Sequence, residues 1–179
     1  MTGLRIRALE VEEDRSAFTS GDEELDRFFR KYAGQNQFRH HLGVTYVATD
    51  GDETCGFLTV SASSIEIDDL PGRRRKRLPR DPLPVLRVAR LATAAEHRGI
   101  GVGRLLLRCA FQLALDMSGE LGCIGVVVDA KEEAVSYYAR YGFEPLPVLE
   151  GGSNARPVPL PMFLALGSIP AASEEPAGP

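Results

Sequence analysis

Three glycines within five residues, Gly99, Gly101 and Gly103, stand between a strand-like stretch, Val85 to Thr93, and an apolar run from Leu105 to Met117. Glycine takes main-chain dihedrals that crowd other residues and lets a ligand approach the backbone closely. At a helix start the main-chain N–H groups lack intrahelical partners and the dipole is positive. Arg98-Gly99-Ile100-Gly101-Val102-Gly103-Arg104 therefore predicts a strand-loop-helix unit whose loop can hold an anion such as a pyrophosphate. The spacing argues against two other phosphate-binding turns. The third glycine follows the second by two residues, where a dinucleotide fold needs three, and the Gly-Lys-Ser or Gly-Lys-Thr of a nucleotide hydrolase loop is absent.

Around this unit the chain punctuates itself. Ser20-Gly21-Asp22-Glu23 has the pattern of a capping box, so a helix is expected to start there, with Leu25, Phe28, Phe29 and Tyr32 on its apolar face and Gly34 at its end. Val44 to Thr49, the turn Asp50-Gly51-Asp52 and Cys55 to Ile67 predict an antiparallel hairpin. Asp68 to Pro84, rich in Pro and Arg, reads as a long loop. Leu105 to Met117 is apolar enough for a core helix packed on a sheet, and Cys123 to Val128 for a strand buried on both faces. Glu132 to Arg140 predicts a second helix stopped by Gly142, and Leu160 to Leu166 a final strand. The order is that of an α/β fold with a mixed sheet. One domain is expected over residues 1–166, followed by a flexible tail, 167–179, of Pro, Ala, Gly and Glu.

Net charge is −4, but Arg73, Arg74, Arg75, Lys76, Arg77, Arg80, Arg87 and Arg90 crowd a segment whose one acid is Asp81. Such a local field attracts phosphate-rich partners; a solvated loop is the alternative. Cys55, Cys109 and Cys123 are widely spaced among apolar residues and read as buried thiols. His40, His41 and His97 make no metal-ligand pattern, so no metal is expected. No apolar stretch reaches the roughly 20 residues of a membrane span, and the N-terminal residues lack a secretory pattern, so a cytoplasmic location is the expectation.

Arg98-Gly99-Ile100-Gly101-Val102-Gly103 resembles the Q/R-x-x-G-x-G/A signature of the GNAT acetyltransferases. Ala134-Val135-Ser136-Tyr137-Tyr138-Ala139-Arg140-Tyr141-Gly142-Phe143 is similar to that family's second element, a helix with an aromatic-Tyr pair followed by Gly-Phe. Phe18-Thr19-Ser20-Gly21, Leu25-Asp26, Phe28, Ala33, Gln35-Asn36-Gln37, Thr45-Tyr46-Val47-Ala48, Gly56-Phe57, Arg90-Leu91-Ala92 and Asp129-Ala130 extend the likeness to the GNAT toxins that acetylate aminoacyl-tRNA.

The resemblance implies a GNAT fold, a mixed and mostly antiparallel central sheet flanked by helices, with acetyl-coenzyme A as cosubstrate. It also implies that Leu91, Ala92 and Thr93 hold the pantetheine arm and thioester, that Arg98, Gly99, Ile100, Gly101, Val102, Gly103 and Arg104 hold the pyrophosphate, and that Tyr138 protonates the departing sulfur. Tyr137, Tyr141 and Phe143 then pack. The Arg cluster from Arg73 to Arg90 would meet tRNA, with Arg87 and Arg90 equally suited to structural ion pairs. Val85 to Thr93 carries no acid to act as base; an α-amino group, with a pKa of roughly 7.7 to 8.0, needs none near neutrality, and Glu66 is a water-mediated alternative. A homodimer and a ribbon-helix-helix antitoxin follow from the resemblance alone. The residues also leave open a GNAT enzyme for a small-molecule or protein amine, and a module that binds acetyl-coenzyme A without turnover.

Overall fold

In a computed structural model, described for residues 3–75, 77–147 and 159–170, seven strands form a sheet in the order β1-β2-β3-β4-β5-β7-β6. They are β1 Arg5–Ala8, β2 Val44–Asp50, β3 Glu53–Ile65, β4 Leu83–Thr93, β5 Gly125–Ala130, β6 Glu144–Pro145 and β7 Leu160–Ala165. The β1–β2, β2–β3, β5–β7 and β6–β7 pairings are antiparallel. The helices are α1 Glu23–Arg27, α2 Ala33–Phe38, α3 Gly72–Arg75, α4 Val102–Glu120 and α5 Val135–Arg140. This is the expected α/β architecture. No helix among the described residues is long and apolar enough to cross a membrane. The chain divides into two compact units, Met1–Ser61 with Val88–Gln112, and Ala62–Arg87 with Leu113–Pro179.

The first unit is built on Phe57. Phe29 stacks on it at 4.4 Å between ring centroids and Phe18 meets it edge-on at 5.5 Å, with Leu9, Ala33, Val47, Ala92 and Ala94 buried around them. The hairpin forms as expected, Val44 opposite Val60 and Asp50 opposite Glu53, and the buried hydroxyls of Thr45 and Thr59 satisfy each other at 2.8 Å. The first helix departs from expectation at both ends. Its N-cap is Asp22, whose carboxylate accepts from the N–H groups of Glu24 and Leu25 at 3.0 and 3.2 Å, because Ser20 is already engaged elsewhere. Nor does Gly34 end it. A π-helical turn, Phe28–Tyr32, passes into α2, Gly34 lies in that helix with Arg15 against its face, and the left-handed residue after the helix is His41, φ 53°.

The second unit packs Ile65, Ile67, Leu70, Leu83, Val85, Val127, Leu146 and Phe163 together. In β5, Gly125 is required by space, since a Cβ there would collide with the Leu164 carbonyl and the Phe163 ring. The expected loop after β3 contains a 3-10 turn, Ile67–Asp69, and α3. Gly142 stops α5 as expected, at φ 94°. Cys55 and Cys123 are buried and Cys109 half-buried, all as thiols. The 3-10 turn Leu166–Ser168 takes in the first two residues of the expected tail, while residues 171–179, like Lys76, lie outside the described residues.

Gly56 is a tight point of the first unit: a Cβ there would stand 2.7 Å from both the Ala92 carbonyl oxygen and Val102 Cγ1. Overpacking of this kind costs about 1–3 kcal/mol. Gly56→Ala is expected to lower stability by that amount in chemical denaturation, and an unchanged midpoint would show that β4 and α4 can give way.

Candidate functional site

β4 ends at Thr93, and a 3-10 turn, Ala95–His97, carries the chain to Arg98. Gly99 and Gly101 then take φ of 79° and 92°, dihedrals costly for any residue with a Cβ. Nothing lies within 4 Å of where a Cβ on Gly99 would be, so this glycine serves the dihedral and keeps the approach open. Val102 opens α4 and is buried. The first helical bond runs from the Leu105 N–H to the Gly101 carbonyl, 3.0 Å, so the N–H groups of Val102 and Gly103 stand ahead of it. An anion is favoured at such a helix start, and a diphosphate suits this exposed, glycine-lined turn.

The Arg98 side chain turns away from that role. Its guanidinium donates to the Ser20 carbonyl and lies 3.0 Å from where a Cβ on Gly21 would be, at a residue with φ 91°. Ser20 in turn gives its N–H and hydroxyl to the Asp26 carboxylate at 2.8 and 2.6 Å, and the Thr19 hydroxyl reaches the same group at 3.3 Å. The Thr19 carbonyl accepts from the Ala95 N–H at 2.9 Å. Arg98 and Ala95 thus tie the loop to the start of α1 through a buried carboxylate. Sequence reasoning named Asp26 only within the family likeness and gave it no role; a local signal for that role was a hydroxyl pair, Thr19-Ser20, just before a helix that begins too late to use it.

Leu91 and Thr93 are half-buried and Ala92 buried at the end of β4, and Arg104 is exposed, its guanidinium 3.7 Å from where a Cβ on Gly101 would be. In the second unit Tyr138 is 6% exposed, and burial pushes its phenol well above the ordinary tyrosine range. Its ring meets Tyr137 at 5.4 Å and Phe143 at 5.4 Å, both edge-on. Tyr137 also packs on Tyr141 at 5.3 Å. Glu66 is exposed and takes part in a local capping box, its own N–H donating to Asp69 at 2.9 Å, which leaves that carboxylate committed to a turn.

The basic cluster divides. Arg73 and Arg74 both bind Glu144, the latter at 3.0 Å, and hold that carboxyl below its usual range; Arg74 also lies 5.8 Å from the Phe163 ring centre. Arg75 donates to the Leu70 and Asp68 carbonyls at 2.7 and 2.9 Å. Arg87 pairs with Asp129 at 2.5 Å. Arg90 is half-buried with its guanidinium 3.9 Å from the centre of the Phe28 ring. Arg77 and Arg80 are exposed, and Arg73 keeps 66% of its side chain in solvent.

The family profile described as the acetyltransferase (GNAT) domain matches residues 41–145. This chain belongs to the GNAT family and is an N-acetyltransferase. Among curated proteins it is 32% identical over 139 residues to the "tRNA-acetylating toxin" of Mycobacterium tuberculosis, covering 77% of this chain and 82% of that protein. It is 31% identical over 167 residues to the "Probable toxin TacT" of Sinorhizobium fredii, 87% of each. Among solved structures, "AtaT complexed with acetyl-methionyl-tRNAfMet" superposes with a TM-score of 0.79 at 25% identity, over 93% of this chain and 96% of that one.

Asp26 is 5% exposed and accepts both Ser20 donors. Removing its carboxylate strands a buried N–H and hydroxyl, at about 1–3 kcal/mol. Asp26→Ala should lower the denaturation midpoint accordingly and speed amide exchange at residues 19–22; a variant as protected as wild type would show that water replaces the carboxylate.

Proposed function

We propose that this protein is a toxin that moves the acetyl group of acetyl-coenzyme A onto the α-amino group of an aminoacyl-tRNA and so blocks translation. The observation that carries this reading is the likeness to a tRNA-acetylating toxin over 77% of this chain and 82% of that protein, beside a family match over residues 41–145 that takes in the loop, α5 and the Arg cluster. Structures titled as AtaT bound with acetyl-coenzyme A and as AtaT with the C-terminus of its antitoxin AtaR support the same cosubstrate and an antitoxin partner. We expect that partner to be a ribbon-helix-helix protein and the toxin to be a cytoplasmic homodimer.

In this reading the amides at the start of α4 hold the diphosphate, with Gly99 and Gly101 shaping the turn and Arg104 alongside, while Leu91, Ala92 and Thr93 present main-chain groups to the pantetheine arm. The neutral amine attacks the thioester carbonyl; a C–N bond forms, the C–S bond breaks, the amine proton passes to water, and the thiolate takes a proton from the Tyr138 hydroxyl. Burial suits Tyr138 to that step, because an apolar site disfavours phenolate and keeps the proton in place to be donated. No carboxylate base is required, given the low pKa of an α-amino group. Exposed Arg73, Arg77 and Arg80 supply salt-dependent attraction to the tRNA backbone.

Tyr138→Phe is expected to lower kcat at least 100-fold with the fold and acetyl-coenzyme A affinity retained, and expression of the variant should no longer arrest growth; persisting arrest removes the proposed acid. Since the phenol pKa is raised above its ordinary value near 10, loss of the proton cannot limit the rate below that pH. The kcat profile should therefore rise with amine deprotonation and stay level to pH 10, whereas a descending limb near pH 8 would point to another acid. Replacing Arg77 and Arg80 by Gln should reduce the slope of log affinity against log salt by about 2, measured by tRNA binding at several salt concentrations. A variant with the wild-type slope would mean that these side chains meet no phosphate.

A further inference from the structure

Arg73 and Arg74, neighbours on α3, both donate through Nη2 to one oxygen of Glu144, its Oε1, Arg74 at 3.0 Å. Glu144 lies on β6, a two-residue strand at the edge of the sheet, opposite Phe163 of β7. The Arg74 guanidinium also stands 5.8 Å from the centre of that Phe163 ring, so ring and carboxylate orient it together. All four residues belong to the second unit.

Charge does not balance at this contact. Two guanidiniums, ionised at any working pH, share one carboxyl, which the Arg74 hydrogen bond above all holds below its usual range. A net positive charge remains. The carboxylate also leaves a donor over, because Arg74 Nε is buried and makes no hydrogen bond to any described residue. The side chains of Arg73, Arg74 and Glu144 keep 66%, 26% and 28% of their surface in solvent, so an incoming anion can reach the group. Guanidiniums that grip a carboxylate are equally suited to a phosphate. A phosphodiester carries the same single charge as Glu144, and along an RNA backbone it comes joined to others that the exposed Arg77 and Arg80 can meet. Guarding a sheet edge would explain a charge on β6. It would not require that charge to engage two arginines of another element, and an ion pair this exposed adds little stability.

We propose that Glu144 is an internal phosphate mimic, which occupies the Arg73–Arg74 pair in the free enzyme and yields it to the RNA backbone. The proposal rests on the aminoacyl-tRNA reading above and adds a restraint to it. Displacement exchanges one ion pair for another, so a stray polyanion gains little there. A tRNA already held at other points makes the exchange from a tethered position, at high effective concentration. The basic segment is thereby kept below its full attraction, which limits binding of the wrong RNA and retention of the acetylated product.

Two measurements on the full-length protein test this without turnover. Glu144→Gln keeps the size of the side chain and removes its charge. In tRNA binding at several salt concentrations, the variant should steepen log affinity against log salt by about 1, the equivalent of one further phosphate contact. Its gain in affinity should then shrink about threefold between about 50 and 200 mM salt, with the Kd for acetyl-coenzyme A unmoved. Adding Arg73→Gln to Glu144→Gln should return the slope to the wild-type value. In wild type itself, the carboxyl carbon signal of Glu144 should move in NMR titration with a short RNA hairpin. A wild-type slope in folded Glu144→Gln overturns the proposal, as does a steeper slope that persists in the double variant, since the freed charge would then lie elsewhere. A carboxyl signal that stays still in wild type overturns it whether or not the variants fold. If wild type acetylates no charged tRNA while slope and signal respond as expected, the toxin reading fails and the role of Glu144 toward RNA stands.

Discussion

The glycine turn between β4 and α4 is the constraint on which the candidate site depends. A chain leaving a buried strand must reverse into a helix whose first residue is already in the core, and Val102 is 1% exposed. Two left-handed dihedrals, at Gly99 and Gly101, make that reversal within a few residues. The same dihedrals bring the chain to a helix start, where the first amides have no intrahelical partner. Fold and candidate anion site thus come from one local geometry, and a side chain at either glycine would strain both.

That turn is not held by its own residues alone. Arg98 reaches the Ser20 carbonyl, Ala95 reaches the Thr19 carbonyl, and Asp26 gathers the Ser20 donors. Because Asp26 is buried and lies on α1, movement of the loop would disturb a carboxylate shielded from bulk solvent. The cost of breaking the network favours a loop and helix that stay in register whether ligand is bound or not. Preorganisation of this kind is what positional catalysis needs, since alignment of two substrates must precede reaction.

Local pattern made the hairpin, the turn at Gly99 to Gly103, α4 and the stop at Gly142 legible, because each is set by residues close in sequence. The misreadings share a cause. Ser20 has the chemistry of a cap, but Asp26 lies within reach and Asp22 is better placed; choosing between them takes the third dimension. Gly34 reads as a helix stop, yet the π-helical turn and the packing of Arg15 carry the helix through it. β1 and β6 were missed because four residues and two, on sheet edges, leave too little periodicity to detect. Glu144 is remote in sequence from Arg73 and Arg74, so the pairing that removes part of the basic field is invisible until β6 forms.

The division of the arginines follows from this. A run of like charges repels itself, and the fold relieves the repulsion by giving Arg73 and Arg74 a shared carboxylate, Arg75 two carbonyls and Arg87 an aspartate. Arg90 is stacked on an aromatic ring, with the charge of Glu24 nearby. Ring stacking orients a guanidinium without cancelling its charge, whereas a carboxylate at 2.5 to 3.0 Å, as at Arg87 and Arg74, spends most of it. The positive potential that a polyanion could feel is therefore concentrated in the exposed Arg77 and Arg80 and in the oriented Arg90, although the run in sequence suggests a uniform patch.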